Sequence, residues 1–318
     1  MGTERSVRRS LPPSQHDRAP HPSDDAIEVA WQLQLRDTPR LWDASKFRLA
    51  GGLVETRPPS DPDHPAAVLR LGLTSYKHHV GTSSAARPDA DRRRLRRDGL
   101  ERHGSKHAHL SAALGVETAL ETADGRLVLL RRSASVASFS GSYNGPSGHP
   151  EPANVPNLTP RSIRRELFDA ALREVTEEVG IPAEAVSRPK LIGAMIDADG
   201  KPDVLFRAAT SATSRRVREW ASRASDAWES SETAFVPALP AMEMEDVAHE
   251  VDFWGGAEDV SASTRAAADC LCMLAASAKD AAPATEVWER ALDAASEHKM
   301  FDVARLVERA QLARVESG

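Results

Sequence analysis

The chain has 318 residues, 41 Lys and Arg against 47 Asp and Glu, a formal net charge of −6 and a hydrophobic content of 41%. This is enough ordinary sequence to bury a core in about two domains, which excludes wholesale disorder and collagen-like structure. No window approaches the ~18 consecutive apolar residues of a membrane-spanning helix, and the mild acidity argues against a general nucleic-acid binder, which needs a positive field.

Residues 1–25 are rich in Arg, Ser and Pro, lack a hydrophobic signal segment, and read as a disordered tail. The start Met1-Gly2-Thr3-Glu4-Arg5-Ser6 meets the minimal pattern for N-myristoylation at Gly2, with an unmodified tail as the plainer alternative. Two segments, AIEVAWQLQL (26–35) and AAVLRLGL (66–73), alternate or concentrate apolar residues over strand lengths around a Pro-rich connection. The Arg-dense stretch 87–109 predicts a solvated helix, with a phosphate-binding patch as the alternative. Residues 116–133 predict a hairpin that turns at Ala123-Asp124-Gly125, and residues 190–210 a second one around Asp199-Gly200. The rest is expected to be mostly helical, with a helix starting near Ser261 or Ser263 and an amphipathic helical hairpin in 285–315. His78, His79, His103, His107 and His109 read as structural. Cys270 and Cys272, two residues apart on an apparent helix, support neither a disulfide framework nor a zinc site and fit a reducing, cytoplasmic setting.

The richest segment is 164–182, closed by Gly180 and Pro182 as a helix stop. At about 100° per residue, Phe168, Leu172, Val175 and Val179 share one arc, while Glu174, Glu177 and Glu178 gather on the neighbouring one. Three like charges at these spacings repel by a few tenths of a kcal/mol per pair, so the helix needs something positive beside it. Hard oxygen ligands on a rigid face suit Mg²⁺ or Mn²⁺, which keep positions for water and substrate phosphate. The bland alternative is a solvated acidic face.

Arg173-Glu174-Val175-Thr176-Glu177-Glu178-Val179-Gly180-Ile181 matches the nine-residue end of the Nudix box, and by it the chain resembles the Nudix hydrolases. The upstream half departs from the pattern: the usual box Glu position holds Arg165, and the carboxylate comes one residue later, at Glu166. Seven residues still place Glu166 within about 20° of Arg173, two turns away. The glycine lies further back, in Pro146-Ser147-Gly148-His149-Pro150-Glu151-Pro152, a loop similar to one in the animal UDP-glucose pyrophosphatase branch of that family. Lys46-Phe47-Arg48 and the segments 69–82, 114–133 and 165–182 resemble the same branch, in the same order.

The resemblance implies an α/β fold, a Nudix α/β/α sandwich with a mixed sheet, and Mg²⁺-dependent hydrolysis of UDP-glucose to UMP and glucose 1-phosphate. It implies Glu174 and Glu178 as metal ligands and Glu177 as auxiliary. It places Phe47, Tyr76, Arg132, Ala137, Asn144, His149, Glu151 and Ser263 around the substrate, with Asn144 standing where the branch has Asp. Phe47 or Tyr76 would stack on uracil, and Arg132 would pair with phosphate. The water's proton acceptor is open between Glu177, Glu178 and a carboxylate outside the box. Expected boundaries are a tail (1–25), an N-terminal β-rich subdomain (26–113), the hydrolase domain (114–280) and a C-terminal helical extension (281–318). A Nudix enzyme acting on an ADP-sugar, dinucleoside polyphosphate or coenzyme A, and a catalytically silent nucleotide-sugar binder, are the alternatives.

Overall fold

The computed structural model describes residues 16–50, 69–84, 87–134, 141–197, 200–238, 260–264 and 266–267. Gly2, Ala137, Cys270, Cys272 and the C-terminal amphipathic pair lie outside these. Residues 16–24, which the sequence assigns to a tail, belong to the fold: Arg18 pairs with Asp24, and His21 Nε2 lies 3.0 Å from an Asp98 carboxylate oxygen.

The first correction concerns residues 26–35, which form helix α1 (Asp25–Asp37) rather than a strand. Ile27, Ala30 and Trp31 are its buried residues, the i, i+3, i+4 spacing of one helical face, packed against α2 (Tyr76–Thr82) through Val80 and Tyr76. The alternation that suggests a strand leaves Val29 and Leu33 in solvent, 61% and 51% exposed. Helix α3 (Asp89–His103) forms as expected. Arg92, Arg93 and Arg94 pair with Asp89 or Asp91 on the same helix, which favours the solvated reading over a phosphate patch. Strands β1 (Ser45–Leu49) and β2 (Leu71–Ser75) make a small antiparallel sheet. The described part of 26–113 is therefore mainly helical, where a β-rich subdomain was expected.

The main sheet is mixed. It contains β3 (Gly115–Glu121), β4 (Arg126–Arg132), β5 (Tyr143–Asn144), β6 (Ser147–Gly148), β7 (Lys190–Ile196), β8 (Pro202–Ala209) and β9 (Ser230–Pro237), with β3 and β8 parallel. The predicted turn is present, Gly125 supplying φ +67°, but β3 and β4 pair at Glu121↔Leu127 and then splay apart. The β5–β6 turn fills the gap, β5 pairing with β4 at Leu130↔Asn144 and β6 with β3 at Glu117↔Ser147. Strand β9 corrects the expectation of helix in that region; it runs antiparallel along β4 from Arg126↔Pro237 to Arg132↔Ser230.

Helix α4 (Pro160–Val179) starts at a capping box of Thr159 and Ser162 and stops at Gly180, φ +70°. Its Leu167, Ala171, Val175 and Val179 pack on Val116 and Leu120 of β3, Val128 and Leu130 of β4, and Phe206 of β8. Each fully buried side chain of this size contributes about 1.5–3 kcal/mol. On the opposite face Ala266 and Ala267 cover Leu205, so helical segments lie on both sides of the sheet. Ser261 Oγ accepts the Thr264 amide at 3.3 Å, the expected N-cap. The period of two along strands then decides the site: Arg132 follows Val128 and Leu130 onto the α4 face, while Glu117 points to the other. Among the described residues no helix is long and apolar enough to cross a membrane.

Candidate active site

Glu174 and Glu178 sit one helical turn apart on α4, where it faces the splayed β3–β4 hairpin. Glu178 is 5% exposed, and its Oε2 accepts the Ser147 amide at 2.9 Å. A Cβ at Gly148 would land on the Glu174 carboxylate, so the loop glycine is a close approach of backbone to acid. Both carboxyl pKa values are raised. For Glu174 burial is the main cause, opposed by Arg173 and reinforced by Glu177 and Glu229. For Glu178 burial again leads, reinforced by Glu174 and opposed by the Ser147 amide. Glu177 is also raised, chiefly by burial, but is partly open to solvent.

The displaced box carboxylate keeps a structural role. Glu166, 5% exposed, accepts from Arg173 at 3.0 Å, from the Glu151 amide at 2.9 Å and from Asn154 Nδ2 at 3.1 Å through one oxygen. It thereby pins the 149–154 loop to α4 and supplies the neighbour that Arg173 needs.

Other predicted residues gather here. The Tyr76 and His149 rings meet edge to face at 6.1 Å. The Tyr76 hydroxyl pKa is raised, chiefly by burial, with Arg132 lowering and Glu229 raising it. Glu151 Oε1 accepts from Lys46 Nζ at 2.5 Å. Asn144 is buried, its amide donating to Gly145 O at 2.9 Å and to Ser147 Oγ at 2.8 Å. Phe47 is not among them: at 1% exposed its ring lies in the core with Leu114 and Phe206, because Lys46 takes the site-facing position. Ser263 lies with the 260–267 segment on the sheet's other face, beside Ser261 Oγ at 3.2 Å.

Four further residues were not assigned a site role from the sequence, His79 having been read as structural. His79 is 5.8 Å from Tyr76 and 6.4 Å from His149, ring to ring; burial lowers its pKa to about 4, and that of His149 falls well below the usual imidazole range, again chiefly through burial. Lys46 and Lys201 both bear on His149 electrostatically. Glu229 perturbs Glu174, Glu178 and Tyr76, and its own pKa is raised by burial. Its place follows from β9, whose Ser230 pairs with Arg132.

The site thus sets Lys46 and Arg132 near a buried acid pair, with Tyr76 and the neutral His79 and His149 clustered beside them. Lys201 acts on the two imidazoles and is paired with Asp203. Among the described residues no three His, Cys, Asp or Glu side chains form a ready-made metal cage. Two carboxylates still fit Mg²⁺, which commonly binds one or two and takes its other ligands from water and phosphate. Their mutual repulsion and burial are what a dication relieves. Replacing Gly148 with Ala is expected to push Glu174 aside and lower kcat/KM by about 10- to 100-fold, with a matching rise in the Mg²⁺ concentration for half-maximal rate.

Fold and site together define a hydrolase of phosphoanhydride bonds. No family model matches the chain. It is 38% identical over 245 residues to the uridine diphosphate glucose pyrophosphatase NUDT22 of Bos taurus, covering 73% of this chain and 82% of that one. The human protein of that name is 38% identical over 230 residues, 68% of this chain and 72% of its own. Nudix hydrolase 9 of Arabidopsis thaliana is 30% identical over 234 residues, 68% of this chain and 74% of that one. The chain belongs to the Nudix hydrolases.

Proposed function

We propose that the protein hydrolyses the diphosphate of a nucleotide sugar, UDP-glucose or UDP-galactose, to UMP and sugar 1-phosphate, with Mg²⁺ or Mn²⁺ held by Glu174 and Glu178. The observation that carries this is the buried Glu174–Glu178 pair beside a pocket that combines Tyr76, His149, Arg132 and the Lys46–Glu151 pair. The relatives named uridine diphosphate glucose pyrophosphatase support the substrate. When bound, the metal supplies charge neutralisation for diphosphate oxygens and a more acidic water.

The chain's own groups do the rest. Arg132 and Lys46 carry positive charge to the diphosphate, and Tyr76 offers a ring for stacking against the base. Neutral His149 can donate or accept one hydrogen bond to a sugar hydroxyl, and Glu151 and Asn144 are further partners for hydroxyls. Glu177 and Glu229 adjoin the buried pair and are the carboxylates free to take a proton from water. The expected division into a hydrolase domain within 114–280 and flanking extensions, and a cytoplasmic location, belong to the same proposal.

The test is a panel of nucleoside diphosphate compounds with Mg²⁺, products resolved by chromatography. UDP-sugars giving UMP and sugar 1-phosphate at the highest kcat/KM is the expected outcome. Preference for an ADP-sugar, a dinucleoside polyphosphate or coenzyme A overturns the substrate, and tight UDP-glucose binding without turnover makes the protein a silent binder.

A further inference from the structure

Glu117 is a fully buried carboxylate on the sheet face opposite α4. Its Oε1 accepts the Gly145 amide at 3.2 Å and the Thr264 hydroxyl, while Oε2 is buried with no hydrogen-bond partner among the described residues. Thr264 Oγ1 in turn accepts from the Gly145 amide at 3.0 Å. The same two stretches meet again where the Ser261 amide donates to Tyr143 O at 2.8 Å and Val260 bridges Tyr143. One side chain therefore ties residues 28 and 147 positions away along the chain.

The tied turn leads to the acid pair. Gly145 O accepts from Asn144, Asn144 donates to Ser147 Oγ, and the Ser147 amide donates to Glu178. Sheet pairing adds a second link, since Glu117 and Ser147 are register partners. Burying a carboxylate is costly, and its pKa rises to about 7, chiefly through burial and in part through Asp203, while hydrogen bonds from Ser263, Thr264 and Gly145 lower it. A leucine here would avoid that cost but could not accept either bond.

We propose that Glu117 is a positioning residue, a clamp that docks the 260–264 segment onto the 143–148 turn and so fixes Asn144 and Ser147 for substrate and Glu178. The link to catalysis rests on the nucleotide-sugar reading above; the clamp itself does not.

The test compares Glu117→Gln, Glu117→Leu, Thr264→Val and the Leu/Val double variant in the full-length protein. Amide hydrogen exchange at Gly145 and Ser147 reads the clamp without substrate, and is expected to quicken about tenfold or more in the Leu and Val variants. Steady-state kinetics with UDP-glucose and saturating Mg²⁺ are expected to show KM about tenfold higher in both, with kcat changed less than about threefold. The double variant removes both acceptors of the Gly145 amide, where each single change leaves one, so exchange at Gly145 is expected to quicken beyond either single variant. Glu117→Gln keeps an acceptor oxygen and restores KM. Folded variants with unchanged exchange overturn the clamp, and faster exchange with unchanged KM overturns its positioning role. Should Glu117→Leu fail to fold, Thr264→Val decides alone. A wild-type protein that turns over no nucleotide sugar refutes the substrate, while the exchange data still judge the clamp.

Discussion

Glu174→Gln and Glu178→Gln are each expected to lower kcat/KM for the nucleotide sugar more than about 100-fold, beyond the effect typical of outer-shell changes around a metal. The amide keeps size and hydrogen bonding but removes the charge that holds a dication. The same substitutions are expected to stabilise the metal-free protein at high pH. Both carboxyls are raised in the folded state above their unfolded value, near 4.3. The folded state then binds more protons than the unfolded one, and stability falls as pH climbs from the unfolded value toward the folded ones. Thermal unfolding with a chelator at pH 5 and pH 8 checks this. The wild-type Tm should drop relative to either Gln variant at the higher pH, and Mg²⁺ should raise the wild-type Tm there while leaving the variants nearly unchanged.

Glu166→Ala is expected to cost about 3 kcal/mol of stability, measured by denaturant unfolding, and to raise KM as well. One buried oxygen accepts from Arg173, the Glu151 amide and Asn154. Its loss strands all three donors and frees the loop that carries His149 and Glu151. Glu166→Gln keeps an oxygen for the amide but loses the charge partner of Arg173, so an intermediate cost is expected. If Glu166→Ala unfolds at the wild-type denaturant midpoint, the box carboxylate has lost its structural role through the one-residue shift.

The helix was legible because its information is local. The spacing of Phe168, Val175, Glu174 and Glu178 fixes two faces, and Gly180 ends the helix with positive φ. The Asp124-Gly125 turn was legible for the same reason, although its strands pair at one position before splaying. Residues 26–35 misled because Ile27, Val29, Trp31, Leu33 and Leu35 alternate perfectly, yet a helix buries Ile27, Ala30 and Trp31 against α2. Local pattern allowed both; packing chose.

Of the pocket, the sequence pointed to Tyr76, Arg132, Asn144, His149 and Glu151 by resemblance; it read His79 as structural, gave Lys46 only as the neighbour of Phe47, and left Lys201 and Glu229 unmarked. Glu229 reaches the acid pair because β9 pairs with β4, and His79, one turn from Tyr76 on α2, reaches His149 because α2 lies against the 149–154 loop.

What the sequence determined alone is the acidic helix: its extent to within a few residues, and the two faces and carboxylate chemistry set by the 3.6-residue repeat, with the family indicated separately by resemblance of its motif. What only tertiary structure decided is which distant charges face that helix, which aromatic ring stands in the pocket and which in the core, and that Glu117 holds the turn behind Glu178. Those depend on strand pairing, register and packing across tens to more than a hundred residues: a shift of one residue in a strand would turn Phe47, Glu117 or Arg132 to the other face, while Tyr76 is placed by how α2 packs.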